Sequence, residues 1–281
     1  MTSLDHSVFE LISLLDSSVK EQAIEYLAST PFHELQTETK DQLYEALLEK
    51  NCYEPLYNLS LDYAPQNMDT LISHCVESND ACKILMNLTR VFEPINMQLF
   101  MHSQFENLLS SGHEYMFGVL VNMSKFKETH ATILQHLPSC DSSNPFVVRV
   151  LKNLSFDSDT HESILDLLPE YLERIVSIGF HDSIISDERA MEEYEKDEIS
   201  GFVFTTKEIE LTEPPLEMIE LIIIMLNGTV STRQQLSHLG IYYIVRHLDL
   251  KATEMGWNDL NQAIINCVEL LLARDEFKKE E

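Results

Sequence analysis

Apolar residues recur along this chain at helical spacing. In "SVFELISLLDS", Val8, Leu11, Ile12, Leu14 and Leu15 form one stripe, the pattern of an amphipathic helix with one buried face. "VKEQAIEYLAS" predicts a second helix, ending before Pro31, and "TETKDQLYEALLEKN" a third, with "CYEPLYNLSLDY" after it. From there one theme repeats: an amphipathic helix, a short polar break, then a more apolar helix. "NMDTLISHCVES" leads to "NDACKILMNLTRVF", "INMQLFMHSQFENLLSS" to "HEYMFGVLVNMSKF", and "THATILQHLPS" to "PFVVRVLKNLSFD". Pro214 and Pro215 then open another helix, since proline suits a first helical turn.

Each apolar helix closes on the same corner: Asn, a large apolar residue, then Ser or Thr. The corners are "NLSLD" at 58–62, "NLTR" at 87–90, "NMSKF" at 122–126 and "NLSFD" at 153–157, with a looser "NGTVS" at 227–231. The asparagines are spaced by 29, 35, 31 and then 74 residues. The last gap holds two units, or one unit and an insertion. A period of this size in a helical chain marks a solenoid, in which each unit buries its apolar face only against its neighbours. Two to three helices per unit predict an all-α, armadillo/HEAT-like right-handed solenoid. The tetratricopeptide pattern of fixed Trp, Gly, Tyr and Pro positions is missing.

The corner also satisfies the N-x-S/T pattern of a glycan acceptor. The opening "MTSLDHSVFELISLLDSS" has no basic n-region, continuous apolar core or small-residue cleavage site, and predicts no signal peptide. The longest apolar run, "LIIIML" at 221–226, is far shorter than a membrane span. Five cysteines at 52, 75, 82, 140 and 267, without a C-x-x-C, fit reduced thiols rather than a disulfide framework. A cytoplasmic protein with structural asparagines is the expectation. The apolar residues Leu59, Leu88, Met123 and Leu154 should face the core, with each Asn on the helix surface beside them. Two roles for the amides stay open. They could line a concave face and hold an extended partner backbone, or they could cap and bridge neighbouring repeats.

The rhythm breaks between Asp182 and Pro215, where Asp187–Glu198 carries seven acidic residues against two basic ones. This predicts repeats over 1–181, an acidic insertion over 182–215, and closing repeats over 216–281 of one continuous solenoid. The insertion is either an electrostatic arm for a basic partner or a solvated loop. Over the whole chain, 47 acidic residues face 19 basic ones, a formal charge of −28. Such a field repels phosphate backbones, which argues against nucleic acid and anionic membranes and favours basic partners. No glycine-rich phosphate loop, nucleophile elbow or H-E-x-x-H is present, and the eleven histidines lack the cysteine pairs of a zinc site. The expectation is no enzyme, no cofactor and no metal, and a monomer.

The segment "EMIELIIIMLNGTVSTRQQLSHLGIYYIVRHLDLKATEMGWNDLNQAIINCVELLLARDE" resembles the closing repeats of the Hgh-type armadillo proteins, also called the FAM-two-hundred-and-three family. The matching positions are Arg233, Leu236, Gly240, Tyr242, Ile244, Arg246, Leu248, Val268, Leu270, Leu271, Asp275 and Glu276. "ELISLLDSSVKEQAIEYLASTP" and the place of the acidic insertion fit the same layout, so the resemblance spans nearly the whole chain. It implies a cytosolic co-chaperone that binds partly folded translation elongation factor 2. Such a protein links its client to the cytosolic chaperonin TRiC and to the ninety-kilodalton heat-shock chaperone. Candidate client contacts are Asn87, Arg90, Asn122, Lys125, Arg149 and Asn153, while Gly240 and Tyr242 are assigned to a tight turn and to packing.

The alternative is an importin-like adaptor reading a basic extended peptide along the asparagines. Its signature is a Trp one turn before each Asn. Those positions hold Glu54, Lys83, Gly118, Arg149 and Ile223, and the one tryptophan, Trp257, lies elsewhere.

Overall fold

The computed structural model describes residues 3–137, 144–176 and 213–272. They fall into two compact units, 1–123 and 124–281. The acidic stretch Asp187–Glu198 and the family-matched Asp275 and Glu276 lie outside the described residues.

The first unit contains α1 (Ser3–Leu14), α2 (Lys20–Ala28), α3 (Thr37–Glu49), α4 (Tyr53–Leu59), α5 (Asp69–Glu77), α6 (Asn79–Val91), α7 (Glu93–Phe100), α8 (Phe105–Leu109) and α9 (Glu114–Met123). Helices α2, α4, α6 and α9 pack side by side in that order. α1 precedes the row, and α3, α5, α7 and α8 come between its helices in sequence, with α3 against α4 and α5 against α6. The second unit contains α10 (His130–His136), α11 (Pro145–Leu154), α12 (His161–Val176), α13 (Leu216–Leu226), α14 (Val230–His238), α15 (Ile241–Met255) and α16 (Asn258–Leu272). Here α11, α13 and α16 form the row. Each unit is an all-α array of stacked helical repeats, the solenoid packing that the Asn period predicts.

Local chemistry sets the helix ends. The Ser78 hydroxyl accepts the Ala81 N–H at 3.4 Å and starts α6, and the Asn144 side chain accepts the Phe146 N–H at 2.9 Å, with Pro145 in the first turn of α11. Between α14 and α15, Gly240 sits at φ 68° and ψ 24°, a left-handed corner that a side chain would strain. The single helix predicted over "INMQLFMHSQFENLLSS" is two, α7 and α8. At the break, the His102 ring Nδ1 accepts the Gln104 N–H at 3.1 Å, a local bond that competes with the helical ladder, and Met101 points into solvent.

The residue after each of the first four corner asparagines is fully buried: Leu59, Leu88, Met123 and Leu154 are each 0% exposed. They are the apolar anchors of the rows. Cys52, Cys75, Cys82 and Cys267 are also buried, and none is in a disulfide. Burial raises the Cys52 thiol, and burial with the Cys82 thiol raises Cys75; burial alone pushes Cys267 up to about 12. Only the thiolate reacts with electrophiles. Maleimide at neutral pH should therefore leave these four cysteines unmodified in the native protein and label all four in concentrated guanidinium, as read by peptide mass mapping. Rapid native labelling of Cys267 would contradict the packing of α15 on α16.

Candidate functional site

The corner asparagines do not stand free. Asn58 donates its amide to the Ala28 carbonyl at the end of α2 (2.9 Å), Asn87 to the Ser60 hydroxyl (3.4 Å), Asn122 to the Thr89 hydroxyl (3.1 Å) and the Met86 carbonyl (3.0 Å), and Asn153 to the Ser124 hydroxyl (3.0 Å). In three of the four joints the acceptor is the Ser or Thr of the previous corner. The tripeptide is therefore one hydrogen-bond device: its Asn donates backward, and its hydroxyl receives from the next Asn. These are also the amide nitrogens that a glycan would occupy. Of the two roles open for the amides, the bridge between repeats is the one the hydrogen bonds display.

A second half of the joint was not visible as a motif. Eight residues after Asn122 and Asn153 stand His130 and His161, each preceded by Thr, in "NMSKFKETH" and "NLSFDSDTH". The His130 ring Nε2 reaches the Ser124 carbonyl at 3.0 Å, and the His161 Nε2 the Ser155 carbonyl at 2.7 Å. After the Asn87 corner, Asn96 does this work, donating to the Thr89 carbonyl at 2.8 Å. The recurring Thr-His dipeptide, at constant distance from Asn, was the signal in the sequence. His161 also explains why the corner at 227 is looser. A Cβ on Gly228 would lie 2.6 Å from the His161 ring and 2.9 Å from the Met225 carbonyl, so no Leu or Met fits there. The Asn227 amide turns back to the Ile223 carbonyl of its own helix.

Beside the His130 joint lies a cavity of about 490 Å³ lined by Lys127, His130, Asp157 and Asp159, among others. The Lys127 ammonium sits 2.8 Å from Asp159 and 3.2 Å from Asp157, and the His130 Nδ1 lies 3.3 Å from Asp157. With a carbonyl on Nε2 and a carboxylate on Nδ1, both contacts are hydrogen bonds only when the ring carries both protons. Burial disfavours the Asp157 carboxylate, but the Asp159 N–H, the Lys127 ammonium and His130 outweigh it and hold its carboxyl below the ordinary value. The hydrogen bonds that Lys127 donates to Asp159 and Asp157 in turn raise its ammonium. Among the described residues no group of three or more His, Cys, Asp or Glu side chains is placed to hold a metal, and no helix is long and apolar enough to cross a membrane.

The predicted contact residues divide into buried and exposed ones. Asn87 and Asn122 are buried, at 1% and 7% exposure. Arg90 is exposed, and its guanidinium donates to the Asn87 side-chain Oδ1 at 3.3 Å; Lys125 is exposed. Arg149 pairs with Glu217 at 2.5 Å and lies near the Phe146 ring, while the neighbouring Lys152 pairs with Glu220 at 2.5 Å. At the position four before Asn87, the Lys83 ammonium lies 4.7 Å from the Tyr57 ring centre and 5.7 Å from that of Tyr115. At the next such position, Met86 covers Gly118 so closely that a Cβ there would fall 2.2 Å from its sulfur. The space of an importin-type tryptophan slot is filled by Met86. Of the family-matched residues, Arg233 donates to the Gly228 carbonyl at 3.4 Å, and Tyr242 and Arg246 line a groove of about 300 Å³ with Ile264, Ile265 and Val268.

No protein-family model and no curated protein matches the sequence. Solved structures similar to it include an engineered protein at 13% identity, covering 97% of this chain and 98% of that one with a TM-score of 0.46. A designed armadillo repeat protein in complex with the peptide (KR)4 also matches at 13% identity, covering 96% and 100%, with a TM-score of 0.44. A second engineered protein matches at 13% identity over 94% and 68%, with a TM-score of 0.49.

Two outcomes follow from the joints. Asn122→Ala should cost about 1–3 kcal/mol, since it removes both hydrogen bonds by which Asn122 ties α9 to α6, whereas Asn227→Ala should fall within about 0.5 kcal/mol of the parent. Urea denaturation measures both, and equal losses would contradict the bridging role. Asp157 titrates lower when folded than when unfolded, so the stability it supplies is complete above the ordinary carboxylate value of 3.8 and is lost as pH falls through the lowered folded value. As pH falls below about 4, the urea midpoint of the parent should therefore fall more steeply than that of Asp157→Asn.

Proposed function

We infer that this chain is a non-enzymatic helical-repeat adaptor whose client is partly folded translation elongation factor 2, which it passes to the cytosolic chaperonin and the ninety-kilodalton heat-shock chaperone. The observation that carries the adaptor reading is the row of Asn-bearing helices within each unit. Regularly spaced side chains stand along that row, while the polar groups most suited to chemistry, His130, His161, Asp157 and Thr232, are engaged in the joints themselves. A surface of this kind offers area and periodicity rather than a reaction centre. The choice of client rests on the resemblance of the closing repeats, from Arg233 to Leu271.

Basic-peptide reading of the importin type is disfavoured by what occupies the slot positions. Lys83 and Arg149 bring positive charge there, and Met86 fills the space above Gly118.

Affinity capture from cytosolic lysate, followed by binding to purified elongation factor 2, tests the reading. The intact chain should recover elongation factor 2 together with chaperonin subunits, and a chain lacking Asp187–Glu198 shows whether the acidic stretch contributes. Arg90→Glu with Arg149→Glu should weaken capture while leaving helicity unchanged by circular dichroism. Recovery of varied basic cargo and nuclear-transport carriers, with no elongation factor, would overturn it.

A further inference from the structure

One face of α6 in the first unit carries two cations that have no carboxylate partner among the described residues. Lys83, Met86, Asn87 and Arg90 stand at i, i+3, i+4 and i+7 on α6 and so share one face. Among the described residues no carboxylate lies within 4 Å of the Lys83 ammonium or the Arg90 guanidinium. Lys50, Lys127, Arg149, Lys152 and Lys251 each have one; Lys20, Lys40, Lys125 and Arg233 also lack one, but no two of these four share a helix. In a chain of 47 acidic residues, two neighbouring unpaired cations need a physical account.

Their surroundings supply it. The Lys83 ammonium is held over the rings of Tyr57 on α4 and Tyr115 on α9, so three adjacent helices fix its place. Arg90 leans on the neutral Asn87 amide, which is itself tied to Ser60, and most of its five donors remain unspent. Between the two lies the Met86 side chain, seated over Gly118, an apolar and polarisable floor. The cations stand seven residues apart on a helix, about 10.5 Å along its axis. In an extended polyproline-II segment, with three residues per turn, residues i and i+3 return to the same side about 9 Å apart.

We propose that the α6 face is a docking stripe for an extended acidic segment of a partner protein carrying two carboxylates three residues apart. One carboxylate meets Lys83 between the tyrosine rings, and the other takes Arg90 through paired N–H donors. Glu54, Asp80 and Glu114, in the first turns of α4, α6 and α9, border the Lys83 end. That acidic border repels a long uniform polyanion and limits the stripe to a short acidic pair. The proposal rests on the adaptor reading only for the identity of the partner.

Fluorescence anisotropy tests it with a labelled extended peptide containing Glu-Ser-Ser-Glu. The same frame with Lys-Ser-Ser-Lys and a labelled single-stranded oligonucleotide serve as comparisons. The intact chain should bind the glutamate peptide saturably and the other two far more weakly. Lys83→Met and Arg90→Gln should each raise Kd about tenfold, and the double variant should lose saturable binding. Arg90→Gln keeps Lys83 on its rings, so it reads charge even if Lys83→Met shifts the melting temperature. No saturable binding by the intact chain, equal binding by the double variant, or tighter binding of the oligonucleotide would each overturn the proposal. Purified elongation factor 2 separates this proposal from the adaptor reading. If the intact chain and the double variant capture it equally and the glutamate peptide does not bind saturably, the stripe fails and the adaptor stands. If it is not captured while the glutamate peptide binds, the client assignment fails and the stripe stands.

Discussion

The hydrogen bond from an Asn amide to the hydroxyl of the preceding corner is the constraint on which the repeat packing depends. The helices of the rows are short: α4 has 7 residues, α9 and α11 have 10, and α6 has 13. Helices of this length are marginal alone in water and gain stability by packing. Burial of Leu59, Leu88, Met123 and Leu154 supplies that packing, but hydrophobic burial has no direction and tolerates sliding. A bond with a distance and an angle does not. Asn122 on Thr89 and Asn153 on Ser124 therefore set the register in which the apolar anchors meet, and His130, His161 and Asn96 hold the carbonyl side of the same corners.

A register fixed in this way has consequences for the exposed side of the rows. Because Asn87 is anchored to Ser60, Arg90 one turn later has a fixed support, and because α4, α6 and α9 cannot slide, Tyr57 and Tyr115 stay on either side of Lys83. The net charge of −28 acts over longer distances than these contacts. At physiological ionic strength the field of distant charges is screened beyond about 8 Å. Approach to the molecule is then governed by the overall negative field, and recognition at the surface by whichever few charges are left unpaired there. In the second unit, Glu217 and Glu220 neutralise Arg149 and Lys152, so two rows built by one rule present different electrostatics.

The amino-acid sequence by itself determined the repeat. Apolar spacing places most helices within a few residues, the Asn period gives the unit, and the anchors after each Asn are legible as core because a large apolar residue at a fixed place in every unit has no other economical home. It did not reveal α12, with Pro169 inside it, or the break that divides α7 from α8, since a local ring-to-backbone bond at His102 ends one helix where the apolar pattern runs on. Nor did it decide what the asparagines do. An amide can serve a partner or a neighbouring repeat with the same atoms, and only the placement of Ser60, Thr89 and Ser124 against the next helix decides between them. The tertiary structure likewise decided which cations are spent. Arg90 and Arg149 are alike in sequence, both basic and both one turn from a corner Asn, but one faces an amide and the other a glutamate, because charge pairing is settled by neighbours across helices that no spacing along the chain records.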